Sequence, residues 1–326
     1  MILSVSRRTD IPGFYSDWFF NRLREGFLYV RNPMNAHQVS RIDLSPEVVD
    51  CIVFWTKNPV PMLERLDGLE KYTYYFQFTL TGFGRDMEPN LPNKREVLIP
   101  AFQRLSQQLG KERVIWRYDP IALNEWYTMD YHERAFREIS DSLAGCTEKV
   151  VISFVDLYAK IQRNMAGQKV RETAGGEMLE LAERLVRIAR ERDLVVESCA
   201  EHIDLHSVGV EHGCCIDRKL IERLVGYPLK ADKDKNQRPE CGCFESVEVG
   251  TYNTCKHGCL YCYANFNQTL VKQSAARYDP ASPLLCGAVS DEDKITVRSV
   301  KSLRAAKRPA SEQLTLWTEE SDGGNA

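Results

Sequence analysis

Short apolar runs rich in β-branched and aromatic residues recur along this chain, separated by longer stretches whose apolar positions return every three or four residues. The short runs predict strands at Ile2–Ser6, Cys51–Thr56, Tyr74–Leu80, Val114–Tyr118, Val150–Val155, Val195–Ser198 and Val247–Tyr252, with a further short one at Leu28–Arg31. Helices are expected around Ser16–Glu25, Arg95–Leu109, Met129–Ala144 and Gly176–Arg192. In the last of these, Leu179, Leu181, Leu185, Val186, Ile188 and Ala189 are spaced to make one apolar face. Strands alternating with helices predict repeated βα units around parallel strands, an α/β fold whose strand count is close to that of a barrel or partial barrel.

Polar side chains end each apolar run. The exits read Ser6-Arg7-Arg8-Thr9-Asp10, Thr56-Lys57-Asn58, Thr79-Leu80-Thr81, Arg117-Tyr118-Asp119, Asp156 and Glu197-Ser198-Cys199. Loops are polar in general, so one such residue says little. Charged residues repeated at the exits predict a functional ring, because parallel barrels build their sites at the carboxyl ends of the strands. Ser6, Arg7, Asp10, Lys57, Thr79, Arg117 and Asp119 are therefore candidate cofactor or substrate contacts.

Length and charge narrow the setting. The 326 residues, 43% hydrophobic, suffice for one large domain with a small appendage, and a net charge of −3 gives no global attraction to nucleic acid or anionic membrane. No apolar run approaches a membrane span, and the start MILSVSRRTDIPGF lacks the apolar core of a signal peptide. Eleven cysteines without an export signal predict reduced thiols holding metal in the cytoplasm rather than a disulfide framework.

Two groups of cysteines stand out. Cys255, Cys259 and Cys262 follow the spacing C-x3-C-x2-C, which can hold an iron–sulfur cube at three corners and leave its fourth iron open. A structural zinc site is the alternative, but His257 lies inside the triplet, poorly placed to complete a tetrahedron. Upstream, Cys199, Cys214 or Cys215, Cys241 and Cys243 predict a second metal site, read as a second four-iron cluster with zinc as the alternative. Cys51, Cys146 and Cys286 read as core or surface thiols, and His37 and His132 as structural.

The triplet, with Tyr261 just before its last cysteine, resembles the C-x3-C-x-aromatic-C signature of the radical S-adenosylmethionine (SAM) superfamily. The resemblance implies a 4Fe–4S cluster on Cys255, Cys259 and Cys262, with Tyr261 against the adenine side of SAM. It also implies that the open iron binds SAM, whose reductive cleavage gives a 5′-deoxyadenosyl radical, and an electron donor such as flavodoxin or ferredoxin. The segments FWTKNPVPMLERLDGL and FTLTGFGRDMEPNLPNKREVLIPAFQRL resemble the spore photoproduct lyase-like branch of these enzymes. There the triplet comes first, so this chain looks circularly permuted, with the cluster-bearing strand Val247–Tyr252 last.

As a whole, the chain resembles the bacterial domain-of-unknown-function family 1848, on LSVSRRTDIP, FWTKNP, WRYDP, ISFVDLY, KDKNQRPECGC and YNTCKHGCLYCYAN in that order. Members tend to read CID where this chain has Cys215-Ile216-Asp217, which favours Cys215 over Cys214 as the ligand.

The expected organisation is a βα core over 1–198, a cysteine-rich segment over 199–246, the cluster-bearing strand and loop over 247–290, and a basic tail over 291–326. In that tail, Gln313, Leu314, Leu316 and Trp317 lie in a peptide that resembles the motif by which bacterial repair and replication proteins dock on the sliding clamp. Nearby Lys294, Arg298, Lys301, Arg304, Lys307 and Arg308 could follow a phosphate backbone. The function expected is radical SAM chemistry on nucleic acid, in repair or modification. A small-molecule or peptide substrate, or a zinc-stapled interaction protein without catalysis, are the alternatives.

Overall fold

Eight strands form one parallel sheet, whose central members, such as CIVFW and YYFQF, are near-continuous apolar runs buried on both faces. The computed structural model describes residues 1–157 and 159–305; Lys307, Arg308, Gln313, Leu314, Leu316 and Trp317 lie outside them. In chain order the elements are β1 (Ile2–Val5), α1 (Ile11–Phe14), α2 (Ser16–Glu25), β2 (Phe27–Arg31), β3 (Gln38–Asp43), β4 (Cys51–Thr56), α3 (Val60–Leu63), β5 (Tyr74–Thr79), α4 (Ile99–Leu109) and β6 (Val114–Ile121). They continue as α5 (Met129–Ser142), β7 (Lys149–Phe154), α6 (Ala159–Met165), α7 (Gly175–Arg190), β8 (Val195–Ser198), β9 (Glu211–His212), α8 (Arg218–Val225), β10 (Val247–Glu248), α9 (Gln268–Ala276) and β11 (Lys294–Val297). The sheet order is β10-β1-β4-β5-β6-β7-β8-β9, every pairing parallel. The edge strands β10 and β9 are not neighbours, so the arrangement is an open α/β sheet compatible with a partial barrel.

The two-residue period of a strand sorts its side chains between faces. Leu3, Val5, Ile52, Phe54, Phe76, Phe78, Trp116, Tyr118 and Ile152 pack with the apolar faces of α2, α4, α5 and α7. Their neighbours Ile2, Cys51, Val53, Tyr75, Ile115 and Val151 turn the other way, onto Ile216, Leu220, Ile221, Leu229, Cys215, Cys241 and Cys243. The cysteine-rich segment and α8 thus cover the second face of the sheet, and burial on both faces is what an all-parallel sheet requires. Further along the strands that second face becomes polar, with Ser4, Gln77 and Arg117 all buried.

Caps place the helices that frame the site. Asp10 accepts from Gly13 N at 2.8 Å and opens α1; Asn93 accepts from Arg95 N at 2.9 Å and opens a π turn at Lys94–Leu98 leading into α4; Thr128 accepts from Tyr131 N at 3.2 Å and opens α5.

Several elements differ from expectation. Leu28–Arg31 lies within β2, which joins β3 and β11 in a separate three-stranded sheet of order β11-β3-β2. The expected strand Val247–Tyr252 pairs only over Val247–Glu248, because the chain turns away beyond Gly250 and reverses at Asn253, whose φ is 54°. The stretch from Asp291, read as a basic tail, contains β11, paired in parallel with β3. No helix among the described residues is long and apolar enough to cross a membrane.

Candidate functional site

Although β10 comes late in the chain, it lies beside β1 with Leu3 opposite Val247 and Ser4 opposite Glu248. Glu248 anchors this junction by accepting from Ser4 Oγ at 2.6 Å, Arg7 N at 3.1 Å, Gly250 N at 2.9 Å and the Ser6 hydroxyl. A Cβ on Gly250 would stand 1.8 Å from Ser6 Oγ, so only glycine permits this approach.

The loop after β10 carries the triplet and is held on both sides. Cys255 N donates to Asn265 Oδ1 at 2.9 Å, while Asn265 Nδ2 donates to Arg8 O at 3.2 Å and to Cys262 Sγ at 3.5 Å. Leu260 N donates to Met87 O at 3.0 Å and Asn90 Nδ2 to Lys256 O at 2.9 Å, fixing the loop against the segment between β5 and α4. Gly258 turns the chain between Cys255 and Cys259 at φ 72°, the left-handed region that favours glycine.

A cavity of about 760 Å³ opens at this end of the sheet. The structure brings Ser6, Arg7, Asp10, Lys57, Thr79, Arg117 and Asp119 to its wall, with Tyr261 and the triplet cysteines Cys255, Cys259 and Cys262. Cys199, Cys215, Cys241 and Cys243 line the same space, and Cys214 does not. Both cysteine groups therefore face one chamber.

Within the wall, charged groups are already engaged. Asp10 accepts from Thr56 Oγ1 at 2.8 Å, from Lys57 N at 2.7 Å and faces His257 Nε2 at 2.7 Å, so it holds β1, β4 and the triplet loop together. Lys57 donates to Glu88 Oε1 at 2.7 Å and to Tyr261 Oη at 2.8 Å, and Lys94 pairs with Glu88 Oε2 at 2.5 Å. Burial pushes the Glu88 carboxyl up, but Lys57 and Lys94 overcome it and hold Glu88 down at about 2. Arg117 pairs with Asp119, which also accepts from Ser153, and places Nη1 on Gln77 Oε1 at 3.3 Å. Burial pushes the Cys259 thiol up to about 12, with Lys57 opposing, so a thiolate there calls for a bound cation.

Arg7 lies over the Trp55 ring at 5.3 Å and Arg8 over Tyr252 at 4.8 Å. Glu201, two residues beyond Cys199, also lines the cavity. Burial, partly opposed by the N–H that Phe154 donates at 2.8 Å, pushes its carboxyl up to about 7.

Several of these residues were missed in the sequence. Glu88 and Lys94 lie in the segment GRDMEPNLPNK, where an acid and a lysine six residues apart gave no sign of meeting at Lys57, a half-buried lysine just beyond β4. Glu248 could have been found by the strand-exit argument, as an acid just inside a strand end beside a glycine. The histidines flanking the second cysteine group stay outside it: His202 faces Glu240 at 3.0 Å and His212 faces Asp204 at 3.6 Å.

Residues 2–264 match the family described as Domain of unknown function (DUF1848). The chain belongs to that family. The matched span runs from β1 through the last cysteine of the triplet and ends just before Asn265, so it contains both cysteine groups and the whole parallel sheet. No curated protein and no solved structure matches the chain.

Proposed function

We propose that the protein is a radical SAM enzyme, in which Cys255, Cys259 and Cys262 would hold a 4Fe–4S cluster at the cavity. The observation that carries this reading is the placement of the triplet: it follows an edge strand of a parallel sheet and looks into a 760 Å³ chamber at the strand exits. The donor set suits the group. The three sulfurs are not drawn into a group within 4.8 Å, the close set among the described residues being Cys199, Cys241 and Cys243. A cube spreads its cysteine sulfurs farther apart than a single ion does, to about 6 Å, so the wider spacing of the triplet fits a cube. The order β10-β1 is also what a permuted radical SAM sheet would have, with the cluster-bearing strand last in the chain and first in the sheet.

When bound, the cluster would supply one-electron cleavage of SAM. The chain's residues would do the rest. SAM carries an ammonium, a carboxylate and a sulfonium, and a wall that mixes Arg7, Lys57 and Arg117 with Asp10, Asp119 and Glu201 suits such mixed charge. Tyr261, fixed by Lys57 and Glu88, would position the cofactor's adenine side, and Asp10 would keep the loop in register through His257.

For the substrate, we infer nucleic acid, on the photoproduct lyase-like segments and the clamp-like peptide around Gln313. Added DNA should then stimulate SAM cleavage; no stimulation would favour a small molecule or peptide. The test of the class itself is iron and acid-labile sulfide after anaerobic reconstitution, with 5′-deoxyadenosine release on reduction. About four irons that disappear in Cys255→Ala/Cys259→Ala/Cys262→Ala are expected. A chain that binds no iron through the triplet would overturn the reading.

A further inference from the structure

Four cysteines outside the triplet converge from three places: Cys199 just after β8, Cys215 in the turn before α8, and Cys241 and Cys243 in the loop that leads to β10. The sulfurs of Cys199, Cys241 and Cys243 all lie within 4.8 Å of one another, and Cys215 Sγ stands 3.2 Å from Cys199 Sγ. All four are free thiols.

Size decides what such a group can hold. Four sulfurs around one zinc, each at about 2.3 Å, stand about 3.8 Å apart at the corners of a tetrahedron. Sulfurs on different irons of a four-iron cube stand about 6 Å apart. The spacing among Cys199, Cys241 and Cys243, and that of Cys215 from Cys199, suits the first value and falls short of the second, while Cys215 stands outside the 4.8 Å set and would have to draw toward Cys241 or Cys243 to close a tetrahedron.

Hydrogen bonding selects the fourth sulfur. Arg117 Nη1 donates to Cys215 Sγ at 2.8 Å, and Ile216 N donates to Cys243 Sγ at 3.4 Å. Sulfurs that accept N–H bonds have the character of thiolates in metal sites. The Cys214 thiol instead donates to Gly242 O at 3.0 Å, so that sulfur keeps its proton and stays outside the group.

We propose that Cys199, Cys215, Cys241 and Cys243 form a closed mononuclear tetrathiolate site for zinc, in place of the second iron–sulfur cluster suggested by the sequence. Four thiolates around a divalent ion leave two negative charges. Buried Arg117 lies against one sulfur, and Arg7 is within Coulombic reach of Cys215 and Cys243. With four protein sulfurs the ion has no open position, so its role is to hold structure. It ties the exit of β8 and the approach to β10 onto the second face of the sheet, where the same cysteines already pack with Ile216, Leu220 and Ile221.

The inference needs only this quartet and stands apart from the radical SAM reading, since iron should follow the triplet and zinc the quartet. The test is zinc, iron and acid-labile sulfide in the full chain and in Cys255→Ala/Cys259→Ala/Cys262→Ala, followed by replacement with cobalt(II). One zinc per chain, present in both proteins and lost in Cys241→Ser/Cys243→Ser, is expected, with the intense visible bands of tetrahedral cobalt thiolate. Iron and sulfide retained by the triplet variant would overturn the proposal. So would a full-length chain that takes up no zinc when metal is supplied, a result that does not depend on any variant folding.

Discussion

His132 is enclosed where water cannot help it carry a charge. Its Nδ1 meets the Tyr118 hydroxyl at 2.8 Å and its Nε2 lies 3.0 Å from Ala122 O, a pattern that suits the neutral ring with its proton on Nε2. Burial, only partly opposed by the Ala122 carbonyl, pushes the imidazole down to about 4. A folded value below the unfolded one means the unfolded chain binds the extra proton. The contribution is complete above about pH 6.5 and is lost as pH falls toward 4, worth roughly 3 kcal/mol. Urea unfolding between pH 7 and 4 should therefore show a slope that His132→Gln flattens; an unchanged slope would count against this assignment. His132 was legible as structural from its place in a helical stretch. Asp10, by contrast, read as a cofactor contact, and its two oxygens are taken by Gly13, Thr56, Lys57 and His257. Sequence position shows that a charge reaches the strand exit, and it does not show which neighbours are already waiting there.

Among the elements, β10 carries the most consequence for its size. It has two residues, and its attachment depends on Glu248 and on the close approach of Gly250 to Ser6. Gly250→Ala should push β10 off β1 and shift the triplet loop, costing about 1–3 kcal/mol as overpacking does. Chemical denaturation and iron uptake after reconstitution would both report it; full stability with normal iron loading would be the contrary result. The strands that sequence reading located, such as β4 and β5, are apolar runs buried in the core. Those it missed have little core to serve. Both residues of β9 and all four of β11 are exposed, and β3 buries only Val39 and Ile42 among polar neighbours. Such strands exist through backbone pairing, β3 with its neighbour β2, β9 with β8 and β11 with the remote β3, which periodicity does not encode.

Across the described residues, the cavity and a fastening of the fold lie at opposite ends of the sheet. Charged groups at the carboxyl ends surround the cavity, whereas Asp50 sits just before β4 at the opposite end. It accepts from Tyr227 Oη at 3.0 Å, Ser302 Oγ at 2.5 Å and Leu303 N at 2.7 Å, fastening two remote segments beneath the sheet. Asp50→Ala should lower unfolding free energy by about 3 kcal/mol or more through the loss of these three bonds and of the pairing with the Met1 amino group at 2.6 Å. Bound metal at the far end should not change, and metal analysis beside a urea titration would reveal any coupling. At this scale the sequence disclosed the parallel α/β plan and two groups of cysteines. It could not disclose how far apart the sulfurs of each group stand, because that depends on how α8 and its flanking loops fold over the second face.

The pairing of β1 with β10 also orders events in time as the chain is made. Leu3 leaves the ribosome early, yet its partner Val247 follows only after the intervening strands have been synthesised, roughly 10–50 s later at ordinary elongation rates. Until then, the outer rim of β1 is a bare template, open to any extended segment that passes. The triplet cysteines emerge later still, so the proposed cluster could be received only by a sheet whose other strands are already made. Assembly of this protein therefore ends where its proposed chemistry begins.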